Sequence, residues 1–226
     1  MTADDNRGRF RLFLDTADKA AWRTWLPTGL FHGVTTNPTL LAAAGIPCDL
    51  GALKPLVDAA FGFGAAEMQV QTFGRSTDAL ERNGRAIAAL DPRIVVKVPI
   101  TREGVLAARS LGADGIRVTM TAVYAAHQAL SAAALGADYA APYLGRMNDA
   151  GRDGMAEIAA MRDMVAASGS TMRILVASLR SAEDLAKLAA RGLDTFTFSP
   201  KVAAMLFADP LTEAAAEAFE VAATGG

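Results

Sequence analysis

An alternation repeated along the whole chain most narrows what it can fold into. Short runs rich in Val, Ile, Thr and Phe are each followed by a longer run rich in Ala and Leu. The short runs are Phe10–Asp15, Gly33–Thr36, Glu67–Thr72, Ile94–Val98, Gly115–Thr119, Tyr139–Pro142, Met172–Ala177 and Thr195–Ser199. The longer ones, read as helices, are Ala17–Leu26, Pro38–Ala44 with Leu50–Phe61, Ser76–Leu90, Arg102–Leu111, Ala122–Ala134, Gly154–Ser168, Ser181–Arg191, and Lys201–Phe207 with Leu211–Ala223. The short runs are largely apolar, as strands of a parallel sheet buried on both faces are. Eight such units in 226 residues predict a sheet closed on itself, a single-domain (β/α)8 TIM barrel over residues 1–226. The rival, an open doubly wound sheet, expects a glycine-rich loop after its first strand. Here Asp15-Thr16-Ala17-Asp18 follows instead, and Gly62-Phe63-Gly64 lacks a third glycine and precedes a strand. Asp15-Thr16, Ser76-Thr77, Thr101 with Glu103, and Ser181 with Glu183 supply chemistry for helix starts. Gly112, Gly136, Gly169 and Gly192 fall just past expected helix ends, where positive φ is wanted.

Charge excludes some functions. Lys plus Arg is 22 against 24 Asp plus Glu, a net charge of −2, which gives no electrostatic reason to bind nucleic acid or an anionic membrane. Polar residues interrupt every long apolar stretch, so no membrane-spanning helix is expected. The polar opening stretch Met1–Arg11 does not read as a signal peptide, and the single cysteine, Cys48, fits a reducing compartment; a cytoplasmic location is expected.

A barrel carries its chemistry at the C-terminal ends of its strands. Those ends supply Asp15, Thr35 to Asn37, Gln69 and Gln71, Lys97, Thr119 and Thr121, Tyr143 and Arg146, Ser178 with Arg180, and Ser199. Lys97 is the sharpest of them, because it interrupts the apolar run Ile94-Val95-Val96-Lys97-Val98-Pro99. Burial disfavours an ammonium, and a neutral amine attacks carbonyl carbon to form a Schiff base; the alternative is an outward-facing or ion-paired lysine. Asp15 is the candidate proton carrier, with an N-cap as its alternative. Asn37 is pushed toward extended backbone by Pro38 and reads equally as a cap. Tyr143 offers a phenol to water or substrate, or is a rim aromatic. Arg146, Ser178 and Arg180 follow strands six and seven, near the usual barrel phosphate position, where Arg suits phosphate well; surface charge is their alternative. His32 and His127 lack partners at ligand spacing, so no metal is assigned.

Three stretches together, Phe13-Leu14-Asp15-Thr16-Ala17, Gly33-Val34-Thr35-Thr36-Asn37-Pro38-Thr39 and Val96-Lys97-Val98-Pro99-Ile100-Thr101, resemble the transaldolase family. So do Thr121-Ala122-Val123-Tyr124 and Gly136 through Tyr143 with Arg146, and the length is similar to that of the short subfamily that includes fructose-6-phosphate aldolase. The resemblance implies a (β/α)8 barrel and class I aldol chemistry with no metal or other cofactor, acting on a sugar phosphate. It implies Lys97 as the Schiff-base lysine, Asp15 as the acid/base carboxylate, and Thr35 and Asn37 as ligands of donor hydroxyls. Thr121 and Tyr143 match positions that orient water or relay protons, and Arg146 and Ser178 match phosphate ligands, assisted by Arg180. It further implies a homo-oligomer, pentamer or decamer, with the C-terminal helix reaching a neighbour; by itself that amphipathic helix either caps the barrel or packs on another subunit. One departure stands out. Where true transaldolases carry a glutamate on strand three, this chain has Gln69, as the aldolase branch does, with Glu67 two residues earlier on the same strand face. Gln69→Glu is therefore expected to shift activity toward sugar transfer. A deoxyribose-phosphate type of barrel aldolase leaves the Thr35–Asn37 string without a role, and a catalytically silent sugar-phosphate-binding barrel is the alternative from another class.

Overall fold

The computed structural model describes residues 10–225, so residues 1–9 of the polar opening stretch lie outside the described residues. Eight parallel strands close into one barrel in sequence order: β1 (Arg11–Asp15), β2 (Gly33–Thr35), β3 (Glu67–Gln71), β4 (Ile94–Pro99), β5 (Val118–Val123), β6 (Tyr139–Pro142), β7 (Arg173–Val176) and β8 (Thr195–Phe198). The helices are α1 (Lys19–Trp25), α2 (Pro38–Ala43), α3 (Leu50–Gly62), α4 (Thr77–Ala88), α5 (Arg102–Ala113), α6 (Ala126–Leu135), α7 (Leu144–Asp149), α8 (Gly154–Ser168), α9 (Ala182–Ala190), α10 (Pro200–Met205) and α11 (Pro210–Thr224). The outward faces of the strands and the inner faces of the helices form the main core, which includes Leu14, Val34, Val96, Met120 and Phe196. A second cluster of Phe13, Val95, Tyr139, Ala141 and Leu175 fills the barrel interior.

Period-2 alternation decides what faces inward. Across the ladders Asp15 lies opposite Thr35, Thr35 opposite Gln69, Gln69 opposite Val95, and Lys97 opposite Thr119. Closure sets Phe13 opposite Thr197. Gly33 belongs to this inward series, and a Cβ there would lie 2.0 Å from the Glu67 carbonyl oxygen, so only glycine lets β2 approach β3 this closely.

Several expected boundaries shift. The fifth strand runs Val118–Val123 rather than 115–119, and α6 begins at Ala126 rather than at Ala122. Val118-Thr119-Met120-Thr121 is itself a β-branched alternating run. It is prolonged by a register shift between Met120 and Val123, where Ala122 takes φ 58°. Gly112 lies inside α5, and Gly115 supplies the positive φ, 76°, that ends the turn. Gly136, Gly169 and Gly192 do take positive φ as expected. Neither Asp15 nor Thr16 caps α1: Asp18 accepts the Ala20 N–H at 2.8 Å. A short helix not expected from the sequence, α7, follows β6 and carries Arg146.

No residue of α11 is buried, and Leu211, Phe219 and Val221 stand open to solvent, so this helix does not cap the barrel. Among the described residues no helix is long and apolar enough to cross a membrane.

Candidate active site

At the C-terminal mouth, Asp15, Asn37, Lys97, Tyr143, Arg146, Ala177 and Ser178 line a cavity of about 110 Å³. Five different βα junctions, or the strand ends leading to them, contribute these residues. Lys97 is 3% exposed. Its strand points it inward with Val95, and among the described residues its Nζ has no hydrogen-bond or ion-pair partner. The amine borders the cavity without a protein acceptor, so it is open to a bound molecule, and polar groups held this way concentrate where chemistry needs them.

Asp15 ends β1, and its Oδ1 accepts a hydrogen bond of 2.6 Å from Thr35 Oγ1. Thr35 Oγ1 is also 2.6 Å from Thr197 Oγ1. Thr35 has one proton, and the carboxylate takes it, so Thr197 must be the donor in the second bond. The relay therefore runs Thr197 to Thr35 to Asp15, all on inward positions. Strand eight contributes Thr197 to it. Ser199, expected as that strand's polar end, instead caps α10, accepting the Val202 N–H at 3.4 Å. The alternation Thr195-Phe196-Thr197-Phe198 was the signal for Thr197.

Asn37 both lines the cavity and caps a helix. Its backbone is extended (φ −157°, ψ 168°), as the following Pro38 requires, and its Oδ1 accepts the Leu40 N–H at 3.0 Å. The cap commits the oxygen, which orients the Nδ2 hydrogens away from the helix. Tyr143 Oη is 2.8 Å from Thr121 Oγ1, and the ring meets Tyr124 edge-on at 5.5 Å between centroids. The guanidinium of Arg146 stands 4.9 Å from the centre of the Tyr143 ring, a cation–π contact that fixes its bearing on the cavity. The neighbouring Tyr124 side chain raises the Arg146 pKa above the ordinary arginine value, so this cation persists at any working pH.

Ser178 adopts φ 58°, unusual for a residue with a side chain. Its carbonyl accepts the Gly145 N–H at 3.0 Å, and the Ala177 carbonyl accepts the Leu144 N–H at 3.0 Å, so the loop after β7 is bonded to the start of α7. Arg180 is not in the cavity. It is exposed and ion-paired with Asp149 on α7, with Nη1 to Oδ1 at 2.7 Å, and this pairing holds Asp149 below the ordinary carboxylate range. Gln69 is fully buried but does not line the cavity; it is bonded to Glu67 and Thr119.

The sequence is related to known proteins over nearly its full length. Residues 12–224 match the family model described as Transaldolase/Fructose-6-phosphate aldolase. A "Probable transaldolase" of Caulobacter sp. (strain K31) is 37% identical over 209 residues, which span 92% of this chain and 94% of that one. A "Probable transaldolase" of Phenylobacterium zucineum is 36% identical over the same shares, and one of Thermus thermophilus is 35% identical over 89% and 92%.

The chain belongs to the transaldolase/fructose-6-phosphate aldolase family.

It is an enzyme of the transaldolase type, and the resemblance carried by the Thr-Thr-Asn-Pro and Lys-Val-Pro stretches is correct at the level of the family. Of the residues that the resemblance singles out, Asp15, Asn37, Lys97, Tyr143, Arg146 and Ser178 meet at one cavity. Thr35 and Thr121 reach it through bonds to Asp15 and Tyr143.

Proposed function

We propose that this family member is a cytoplasmic class I aldolase that makes or breaks the C3–C4 bond of a ketose phosphate through an imine on Lys97. The observation that carries the reading is a lysine 3% exposed whose amine has no partner among the described residues, in a cavity shared with a carboxylate. No ion pair has to be broken before that nitrogen bonds to carbon. Lys97 Nζ attacks the substrate carbonyl, and the carbinolamine loses its oxygen as water to give the iminium. The Asp15 carboxylate carries the protons of these steps, with Thr35 holding its Oδ1. The iminium then accepts the electron pair of the C3–C4 bond while the C4 hydroxyl gives its proton to the Asp15 carboxylate, and an aldehyde departs. The remaining enamine is protonated at C3 and hydrolysed by water, which is cleavage, or attacks an acceptor aldehyde, which is transfer. The Thr121–Tyr143 hydroxyl pair, 2.8 Å apart, is suited to hold that water or relay the proton. Thr35 and Asn37 serve the donor hydroxyls, and Arg146 and Ser178 the phosphate.

Cleavage is our first reading, because the strand-three position carries an amide, Gln69, which cannot take a proton from water as a carboxylate does. Transfer of a dihydroxyacetone unit to an aldose phosphate is the second, favoured by relatives named probable transaldolases. The exposed apolar residues of α11 support a homo-oligomer, a pentamer or decamer, in which this helix lies on a neighbouring copy. Borohydride reduction with dihydroxyacetone or fructose 6-phosphate tests the imine. The expected result is a stable mass increase mapped to the Lys97 peptide; absence of any adduct with every ketose tried overturns the reading.

A further inference from the structure

Below the cavity, toward the N-terminal end of the barrel, lies a hydrogen-bonded chain that joins Gln69 to Glu67, a residue the reaction above does not use. Arg11 Nη1 donates to Tyr139 Oη at 2.7 Å, and Tyr139 Oη donates to Glu67 Oε2 at 3.2 Å. Arg117 Nη1 donates to the same Glu67 oxygen at 2.7 Å. Gln69 Nε2 donates to Glu67 Oε1 at 2.9 Å, and Thr119 Oγ1 donates to Gln69 Oε1 at 2.8 Å. Glu67, Gln69 and Thr119 are all buried, and Thr119 is the residue directly across the ladder from Lys97.

The direction of this chain follows from Glu67. A carboxylate only accepts, so the Gln69 amide must turn its nitrogen toward Glu67, and its oxygen must then meet Thr119. The same contact restricts the residue type at 69: a second carboxylate 2.9 Å from the first cannot be ionised along with it. We propose that Glu67 is a positioning residue that fixes which way the Gln69 amide faces below Lys97, and that it and a carboxylate at position 69 exclude one another. The catalytic half of this proposal rests on the imine reading; the electrostatic half does not. It also revises the expectation from sequence, because Gln69→Glu alone creates a pair sharing one proton and not a free carboxylate. The exchange Glu67→Gln with Gln69→Glu rebuilds the chain. The new amide oxygen at 67 accepts from Arg117 and Tyr139, its nitrogen donates to the new carboxylate at 69, and that carboxylate accepts from Thr119.

The charged and titratable groups around the pair are Arg117 just before β5, Tyr139 on β6 with Arg11 of β1 behind it, and Lys97 on β4. Arg173 and Asp194 pair with each other beside them, and His32 packs on Phe13 before β2. None of these is changed between the variants, so differences report on positions 67 and 69.

The test compares wild type, Gln69→Glu, Glu67→Gln and the double exchange by thermal melting from pH 5 to 8 and by kcat and KM for ketose cleavage. In Gln69→Glu the folded pair retains a proton that the unfolded chain, whose carboxyls titrate near 4, has released. Its Tm therefore falls relative to wild type as pH rises, and its infrared spectrum gains a protonated-carboxyl band. The double exchange shows neither effect. Glu67→Gln turns the Gln69 amide over and lowers kcat about tenfold with KM nearly unchanged, a pattern that general loosening of the barrel does not give. A Gln69→Glu protein that melts in parallel with wild type at every pH, or a Glu67→Gln protein with wild-type kcat, overturns the proposal. Should Glu67→Gln fail to fold, the double exchange decides: folded and flat in pH it supports the proposal, unfolded it overturns it. If the wild type traps no imine, the imine reading fails, and the melting comparison, which needs no substrate, still decides the electrostatic half.

Discussion

Lys97→Met separates what the fold wants at this position from what the chemistry wants. Methionine has nearly the length and shape of lysine without the charge. In the native protein the lysine is 3% exposed, and among the described residues its Nζ, which borders the cavity, has no acceptor, so folding strips it of part of its water with no protein bond in return. Burying a polar group in that state costs about 1–3 kcal/mol by mutational measure. Replacing it with a thioether that packs against the interior apolar cluster removes that cost. At this chain length about 1 kcal/mol moves Tm by roughly 2–4 °C, so the variant is expected to melt about 2–12 °C above wild type. The assay is scanning calorimetry at pH 7, run at several protein concentrations so that any assembly equilibrium is separated from the intrinsic gain. Borohydride trapping on the same sample must give nothing at residue 97. A Tm below wild type by several degrees would refute the reasoning, because it would mean that the amine is satisfied in the folded state and that its loss leaves partners behind.

Two further outcomes follow from particular contacts. Burial and the facing Glu67 push the Tyr139 pKa up to about 12 from an ordinary value near 10, so the folded state holds this proton after the unfolded state has lost it. The resulting stability is complete below about pH 10 and lost as pH rises toward about 12, on the order of 2–3 kcal/mol, and Tyr139→Phe should flatten that part of the curve in urea titrations at each pH. At Gly145, an added Cβ would lie 2.5 Å from the Ser178 carbonyl oxygen and 2.7 Å from Arg180 Nε. Gly145→Ala should therefore displace the Ser178 loop and raise KM for phosphorylated ketoses about tenfold or more, while trapping of unphosphorylated dihydroxyacetone at Lys97 persists. Equal losses with both substrates would count against Ser178 as a phosphate contact.

Much of the site was legible because barrel topology converts strand order into a place. Once the alternation is recognised, Asp15, Asn37, Lys97 and Tyr143 must converge, although they are far apart in sequence. Boundaries were less legible where residue type was ambiguous. Ala122-Val123 reads as a helix start beside an Ala-rich segment, and it becomes strand because its neighbours β4 and β6 offer hydrogen bonds to this stretch. Asn37 needed no choice between cap and ligand position, since one side chain does both.

The sequence by itself determined the closed barrel and the family, because these depend on periodicity and on short local strings; that Lys97 turns inward was decided by the strand register. Which hydroxyl holds Asp15, where Arg180 ends up, and how Glu67 orients Gln69 were decided only by the folded barrel. Those contacts join residues from different strands, and the register and closure that set their distances arise from the whole sheet.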